Sequence, residues 1–483
     1  MNLRIRHRSS SQMKNLYFAL SGTAISIFGW MITLGAASRY ISSTELGVCY
    51  LVFVLSAVGL ALTSIGGRSA VISLAEDHRF QGKLTMDQPP VTVKAVTVAL
   101  LVLAIGLLIW GHDMIMPGTV FGELKWVILL VILMEMVTGS GLSTFAGLGR
   151  FRTAGVLHGL KGIFSVAASL LVLVMGFGFE GFLWSLVFTG VCMTILVWYS
   201  IPVRFSFSFE LPTMRQVTSA SSMLYLAYLV SILSVKSAEG MIVVLSGAAA
   251  LAVYGNALLL PTLLIRMFEA VRPFILDTPG DMARSGQYIS MRTTSAVIAV
   301  MAGLLMVFAH PLTLMIFGET YLPCVPITRL LCFWVVLSLV NYFLVIYSID
   351  TGQIRKVLGV NGLGFAVAIT GNWFLIPEFG VTGAALALTL TSFLTILISL
   401  LILSSGRVLS VSGLVVSFYK SILPLFALCA ALQATAPGLN HSMLYWVLFV
   451  LSMLGLKAVP VQDFKSAVRT MRYGMDTGSH AAG

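Results

Sequence analysis

Fourteen apolar stretches, each of roughly 20 residues, follow one another along the chain with short polar segments between them. They fall near 16–38, 46–67, 91–111, 124–146, 154–176, 181–201, 220–246, 251–271, 294–317, 325–349, 357–377, 381–404, 415–436 and 441–461. At about 1.5 Å per residue, a helix of this length crosses the hydrocarbon core of a bilayer. No water is available there, so each backbone N–H and C=O must be paired within its own segment. The pattern therefore predicts an all-α polytopic membrane protein with about 14 transmembrane helices. Composition agrees: 58% of the 483 residues are hydrophobic, 10% are charged, and mean hydropathy is +0.98.

Charge fixes the expected orientation. Twenty-three of the 29 lysines and arginines lie in, or at the edges of, the alternate segments that begin with the N-terminus. The opposite segments have only Arg39 and Lys125 at span edges, and carry Asp113, Glu123, Glu180, Glu319 and Glu378. Basic loops stay in the cytoplasm, so both termini are expected there. The net charge of +11 fits basic loops lying against anionic lipid and gives no reason to invoke nucleic acid. Arg4, Arg6, Arg8 and Lys14 precede an apolar run too long for a signal-peptide core, so the run is expected to be the first span.

The two halves of the chain superimpose at an offset of about 203 residues. Gly149, Arg152, Gly159 and Leu160 fall on Gly352, Arg355, Gly362 and Leu363, Tyr50 falls on Tyr254, and Gly181 on Gly383. Each repeat holds six spans, an even number, so the copies should share one orientation and be related by an axis along the membrane normal. The expected architecture is two six-helix lobes, 1–212 and 213–405, plus an accessory pair of helices and a cytoplasmic tail in 406–483. Such lobes would enclose a midplane cleft open to alternate sides.

Ionisable groups inside spans cost about 2.5–3.5 kcal/mol each on insertion scales, so each needs a reason. Arg68, Glu135, Lys236, Glu239, Arg266, Glu269 and Arg329 are such groups. Lys236 and Glu239, like Arg266 and Glu269, are three residues apart and share a helix face, so each pair can neutralise itself. On that reading Arg68 and Arg329 snorkel to head groups. On the other, Arg68, Lys236, Arg266 and Arg329 line the cleft and hold a phosphate or pyrophosphate. Glu135, Glu239 or Glu269 would then be candidates for carrying a coupling proton.

Other patterns carry less. Residues 176–181, GFGFEG, spell a dinucleotide fingerprint, but they join two membrane helices and follow no strand, so a tight turn is expected. Gly155 and Gly159 form a GxxxG of the kind that lets helices pack closely. The seven histidines show no metal-ligand spacing, and the five cysteines are scattered in apolar context with no CxxC, so no metal, cofactor or disulfide framework is expected. His158 sits at a span edge, where a neutral, hydrogen-bonded ring is expected. The loops are too short to hold a catalytic or nucleotide-binding domain. A transporter of this kind would draw on an ion gradient, on membrane potential, or on the downhill fate of its cargo.

Several segments resemble the polysaccharide (O-antigen-type) flippases of the multidrug/oligosaccharidyl-lipid/polysaccharide exporter superfamily. They are RYISSTELG from Arg39 to Gly47, SIGGR from Ser64 to Arg68, LAVY from Leu251 to Tyr254, IFGETY from Ile316 to Tyr321, the loop from Asp350 to Lys356, and the stretch from Asn372 to Ala385. The resemblance covers roughly residues 16 to 404. It implies a V-shaped, two-lobed flippase that carries a polyprenyl-pyrophosphate-linked oligosaccharide across a bacterial inner membrane for cell-surface polysaccharide such as lipopolysaccharide. It also implies a cationic lumen, with Arg68, Lys236, Arg266 and Arg329 at matching depth, and polysaccharide polymerases and membrane lipids as partners. A lipid II flippase of the same superfamily is the nearest alternative. A cation-coupled drug exporter should carry an acidic, aromatic cavity, yet no Asp lies within any first-half span. A glycan polymerase should show a large outer loop, and a membrane scaffold should not need charged spans.

Overall fold

A computed structural model describes residues 3–62, 124–147, 150–200, 211–275, 288–350, 353–404, 411–435 and 439–455. Among them twelve α-helices follow in order: α1 (Leu3–Tyr40), α2 (Ser43–Leu62), α3 (Lys125–Gly147), α4 (Phe151–Val174), α5 (Gly178–Ser200), α6 (Leu211–Ser246), α7 (Ala248–Ile275), α8 (Tyr288–Phe317), α9 (Cys324–Asp350), α10 (Ile354–Ser404), α11 (Val411–Thr435) and α12 (Leu439–Gly455). A 3-10 turn, Glu319–Tyr321, links α8 to α9. Ten of the helices are long and apolar enough to cross a membrane, so the chain is a multi-pass membrane protein. Of the expected spans, 91–111 lies outside the described residues, and Arg68 lies there too.

The turns follow local chemistry. Ser42 and Glu45 form a capping box at the start of α2: the Ser42 amide donates to Glu45 Oε2 at 2.8 Å and the Glu45 amide donates to Ser42 Oγ at 3.3 Å. The GFGFEG segment is the tight turn expected, with Gly176 and Gly178 at φ 79° and 62° joining α4 to α5. Gly380, at φ 56° and ψ −136°, breaks α10 into two arms just after Pro377. That break separates the stretches read as 357–377 and 381–404.

Packing recurs between the two halves of the chain. Helix α1 lies along α4, and α6 lies along α10; likewise α3 packs on α2 and α5, as α9 packs on α7 and α10. The α1–α4 approach is close because glycines meet there. A Cβ on Gly22 would strike the Gly155 backbone, and one on Gly29 would come within 2.7 Å of the Gly162 carbonyl oxygen. In bilayers such contacts replace the hydrophobic effect as the source of helix association.

The halves meet chiefly through α2 against α7, flanked by α1 against α7 and α8 and by α2 against α6. At the end bearing the α1–α2, α6–α7 and α8–α9 turns the seam is tight. Gly47 abuts the Ala248 carbonyl, the ring of Tyr50 covers Gly255, and Tyr50 Oη donates to Asn256 Oδ1 at 2.6 Å. Beside them, Ser38 Oγ donates to the Phe317 carbonyl at 3.4 Å and Arg39 Nη2 donates to that of Met315. Toward the other end Tyr225 Oη donates to the Leu62 carbonyl at 3.1 Å. Helices α11 and α12 pack on α8, with α11 also on α9.

Candidate functional site

Among the described residues three ion pairs lie within the apolar helices. Lys236 and Glu239, one turn apart on α6, are bonded through both carboxylate oxygens at 2.8 Å. Glu239 is buried, its side chain 6% exposed, so its charge is held by Lys236 rather than by water. Helix α6, which carries the pair, packs on both seam helices, α2 and α7. Just next to it, Asn372 Nδ2 on α10 donates to Ser237 Oγ at 3.4 Å.

Arg266 and Glu269 pair more loosely on α7, at 3.4 Å, with side chains 68% and 51% exposed. Such a pair contributes about 0–1 kcal/mol and leaves the guanidinium free to accept another anion. The third pair joins two helices: Lys161 Nζ on α4 donates to Glu135 Oε2 on α3 at 2.6 Å. His158 sits one turn before Lys161 on α4. The first-half helix α4 thus carries His158 and Lys161, and the second-half helix α7 carries Arg266. On the same helix Arg152 lies over the Phe18 ring at 4.8 Å.

Arg329 does not join this group. Its side chain is buried, and Nε donates to the Met306 carbonyl at 3.3 Å while Nη1 donates to that of Leu432 at 2.8 Å. Leu432 lies in the last turn of α11, where carbonyls lack helical partners. Arg329 therefore ties α9 to α8 and α11. Gln433 Nε2 reinforces this tie by donating to the Pro326 carbonyl at 2.8 Å.

Sequence reasoning counted Lys161 among the basic segment edges and read His158 as a neutral edge residue. The signal was their three-residue spacing at the start of a span, but the partner of Lys161 lies 26 residues earlier on another helix. Among the described residues no group of His, Cys, Asp and Glu could hold a metal ion.

Comparison with known proteins adds two facts. Residues 37–326 match a family model described as polysaccharide biosynthesis protein. In fold, the chain is similar to the lipid II flippase MurJ in an inward closed conformation, at TM-score 0.62 and 11% identity, over 94% of this chain and 99% of that one. It is also similar to a mutant of the Vibrio cholerae MATE transporter VcmN, at TM-score 0.57 and 15% identity, over 83% and 99% of the two chains. A multidrug resistance MATE family transporter of the MOP superfamily, in an outward-facing conformation, gives TM-score 0.58 at 15% identity over 83% and 97%. No curated protein sequence gives a significant match. The helices therefore adopt the fold of MATE transporters and MurJ.

Proposed function

The chain belongs to the polysaccharide biosynthesis protein family, and from that premise we propose that it is a flippase moving a polyprenyl-pyrophosphate-linked oligosaccharide across the bacterial inner membrane. The observation that carries this reading is the exposed, loosely paired Arg266 on α7, a second-half cation, together with the partly open Lys161 on the first-half helix α4. Cations from both halves of the chain can grip one diphosphate, while the seam is closed at its other end by Tyr50 and Asn256.

Guanidinium and ammonium groups suit phosphate oxygens, the first as a planar fork and the second as a point charge. In this account the two lobes, 1–212 and 213–405, rock about the α2–α7 seam, and 406–483 supplies accessory helices and a tail. The cytoplasm lies on the Arg266 side with both termini, by the asymmetry of basic loops. The glycan crosses in the hydrated cleft and the polyprenyl chain stays in lipid. Lys236, at the opposite end of the passage, offers the diphosphate a second cation on its way out. Arg68 is assigned to the entry side from the sequence alone. The protein does no chemistry on its cargo, and a polymerase of the outer leaflet is the partner that would consume it.

A lipid II flippase is the second reading, favoured by the similarity to MurJ over almost the whole chain. Both cargoes are polyprenyl diphosphates, so the cation seat serves either. Deleting the protein and analysing the lipid-linked glycans that build up on the cytoplasmic face separates them. Accumulation of a polysaccharide repeat unit supports the proposal, accumulation of lipid II supports the second reading, and unchanged pools of both contradict each.

A further inference from the structure

Arg329 stands apart from the other cations inside the spans. Lys161, Lys236 and Arg266 each meet a glutamate, whereas the buried Arg329 meets no carboxylate among the described residues. Its two hydrogen bonds go to the neutral carbonyls of Met306 and Leu432. A guanidinium carries five N–H groups, so these two bonds leave three without a partner among the described residues. The helices it bonds to, α8 and α11, hold no carboxylate, and α9 itself holds only Asp350, its last residue. Leu432, in the last turn of α11, adds about half a negative charge from the helix end, which does not balance a full cation. A buried charge left in that state is costly until an anion completes it.

The surroundings give such an anion a way in. Helices α9 and α11 pack together, and two contacts in one antiparallel register bracket Arg329. On one side Gln433 Nε2 donates to the Pro326 carbonyl at 2.8 Å, and on the other the Phe333 and Phe426 rings lie 5.7 Å apart. Ala430 is level with Arg329 in that register and brings only a methyl group to the gap. Pro326, Phe426, Ala430 and Gln433 are exposed, so this side of the seam faces outward, and around a membrane span outward means lipid. Arg329 keeps 7% of its surface open. It lies in the second turn of α9, about 8 Å from the helix start at 1.5 Å per residue, so a head group drawn slightly inward reaches it.

We propose that the α9–α11 seam binds one anionic phospholipid, whose phosphodiester takes the open N–H groups of Arg329 and whose acyl chain runs along the exposed Leu423 and Phe426. An arginine fork matches two phosphate oxygens at once, which a single carbonyl does not offer. The lipid supplies the charge that Arg329 lacks and fastens α11 to α9. Lys161 and Arg266, on α4 and α7, take no part, so the inference goes beyond the flippase reading and stands without it.

The test uses the full-length protein in an uncharged detergent and follows its thermal unfolding midpoint during titration with phosphatidylglycerol, phosphatidylethanolamine or inorganic phosphate. Phosphatidylglycerol should raise the wild-type midpoint steadily with the logarithm of its concentration. Phosphatidylethanolamine, whose ammonium offsets its phosphate, and inorganic phosphate, which has no acyl chain, should each raise it less. Gln433→Glu places a carboxylate at an exposed position beside Leu432 and should weaken phosphatidylglycerol binding by about tenfold or more. Arg329→Gln should abolish the response, while Arg152→Gln, a charge lost from the first half, should leave it intact. Should Arg329→Gln fail to fold, Gln433→Glu alone decides. An equal response to phosphatidylglycerol in wild type and Gln433→Glu would overturn the inference. So would a wild type that responds as strongly to inorganic phosphate, or that responds to no lipid.

Discussion

Tyr50 Oη donates a 2.6 Å hydrogen bond to Asn256 Oδ1, joining α2 of the first half to α7 of the second. The repeat places Tyr254 opposite Tyr50, so the bond runs between near-equivalent turns of equivalent helices. Around it, Gly47 brings the α2 backbone against that of Ala248, and Gly255 leaves room for the Tyr50 ring. This seam must part for the passage to open on that side.

Tyr50→Phe removes the donor and leaves a buried Asn256 oxygen unpaired, which costs the closed seam about 1–3 kcal/mol. The population open at that end should rise by about five- to 150-fold. Spin labels at the exposed Thr44 and Thr320 report it as a growing long-distance component. An unchanged distance distribution would contradict a gating role for the bond.

The α1–α4 contact predicts a sharp positional contrast. Gly155→Leu forces a side chain into the Phe18 backbone, and overpacking of that kind costs about 1–3 kcal/mol or more. Gly159→Ala, one turn away, meets its nearest atom at an ordinary 3.5 Å. Thermal unfolding in detergent should show a lowered midpoint for Gly155→Leu and a near wild-type one for Gly159→Ala.

Arg329 and Arg266 should separate stability from binding. Arg329→Ala leaves the Leu432 and Met306 carbonyls without their charged donor, a loss of about 1.5–3 kcal/mol each for bonds of this kind. It should lower thermal stability while the surviving folded protein still binds farnesyl diphosphate. Arg266→Ala, at an exposed and loosely paired position, should do the reverse: unchanged unfolding and at least tenfold weaker binding. Measuring both properties on both variants checks the assignment.

The ten spans found among the described residues and the break at Gly380 are legible because apolar length and turn residues are local properties of the chain. The self-neutralising Lys236–Glu239 and Arg266–Glu269 pairs were legible for the same reason, as three-residue spacing fixes a shared helix face. The tie made by Arg329 is not legible in the sequence because its acceptors, 23 and 103 residues away, are backbone carbonyls that no residue type announces. Lys161 was passed over because its counter-ion is on another helix. Depth in the membrane can be read from sequence, but the direction a side chain takes around its helix depends on which helix packs beside it.

The central claim is that cations from both halves carry a diphosphate-linked glycan from one leaflet to the other. The most direct measurement is transfer of a fluorescent polyprenyl-diphosphate oligosaccharide across proteoliposomes holding the full-length protein, read by a membrane-impermeant quencher. The account predicts that wild type equilibrates the label between leaflets, that Arg266→Ala slows this at least tenfold, and that excess lipid with an uncharged head group is not moved. Transfer by Arg266→Ala at the wild-type rate, or no transfer by wild type, would contradict it.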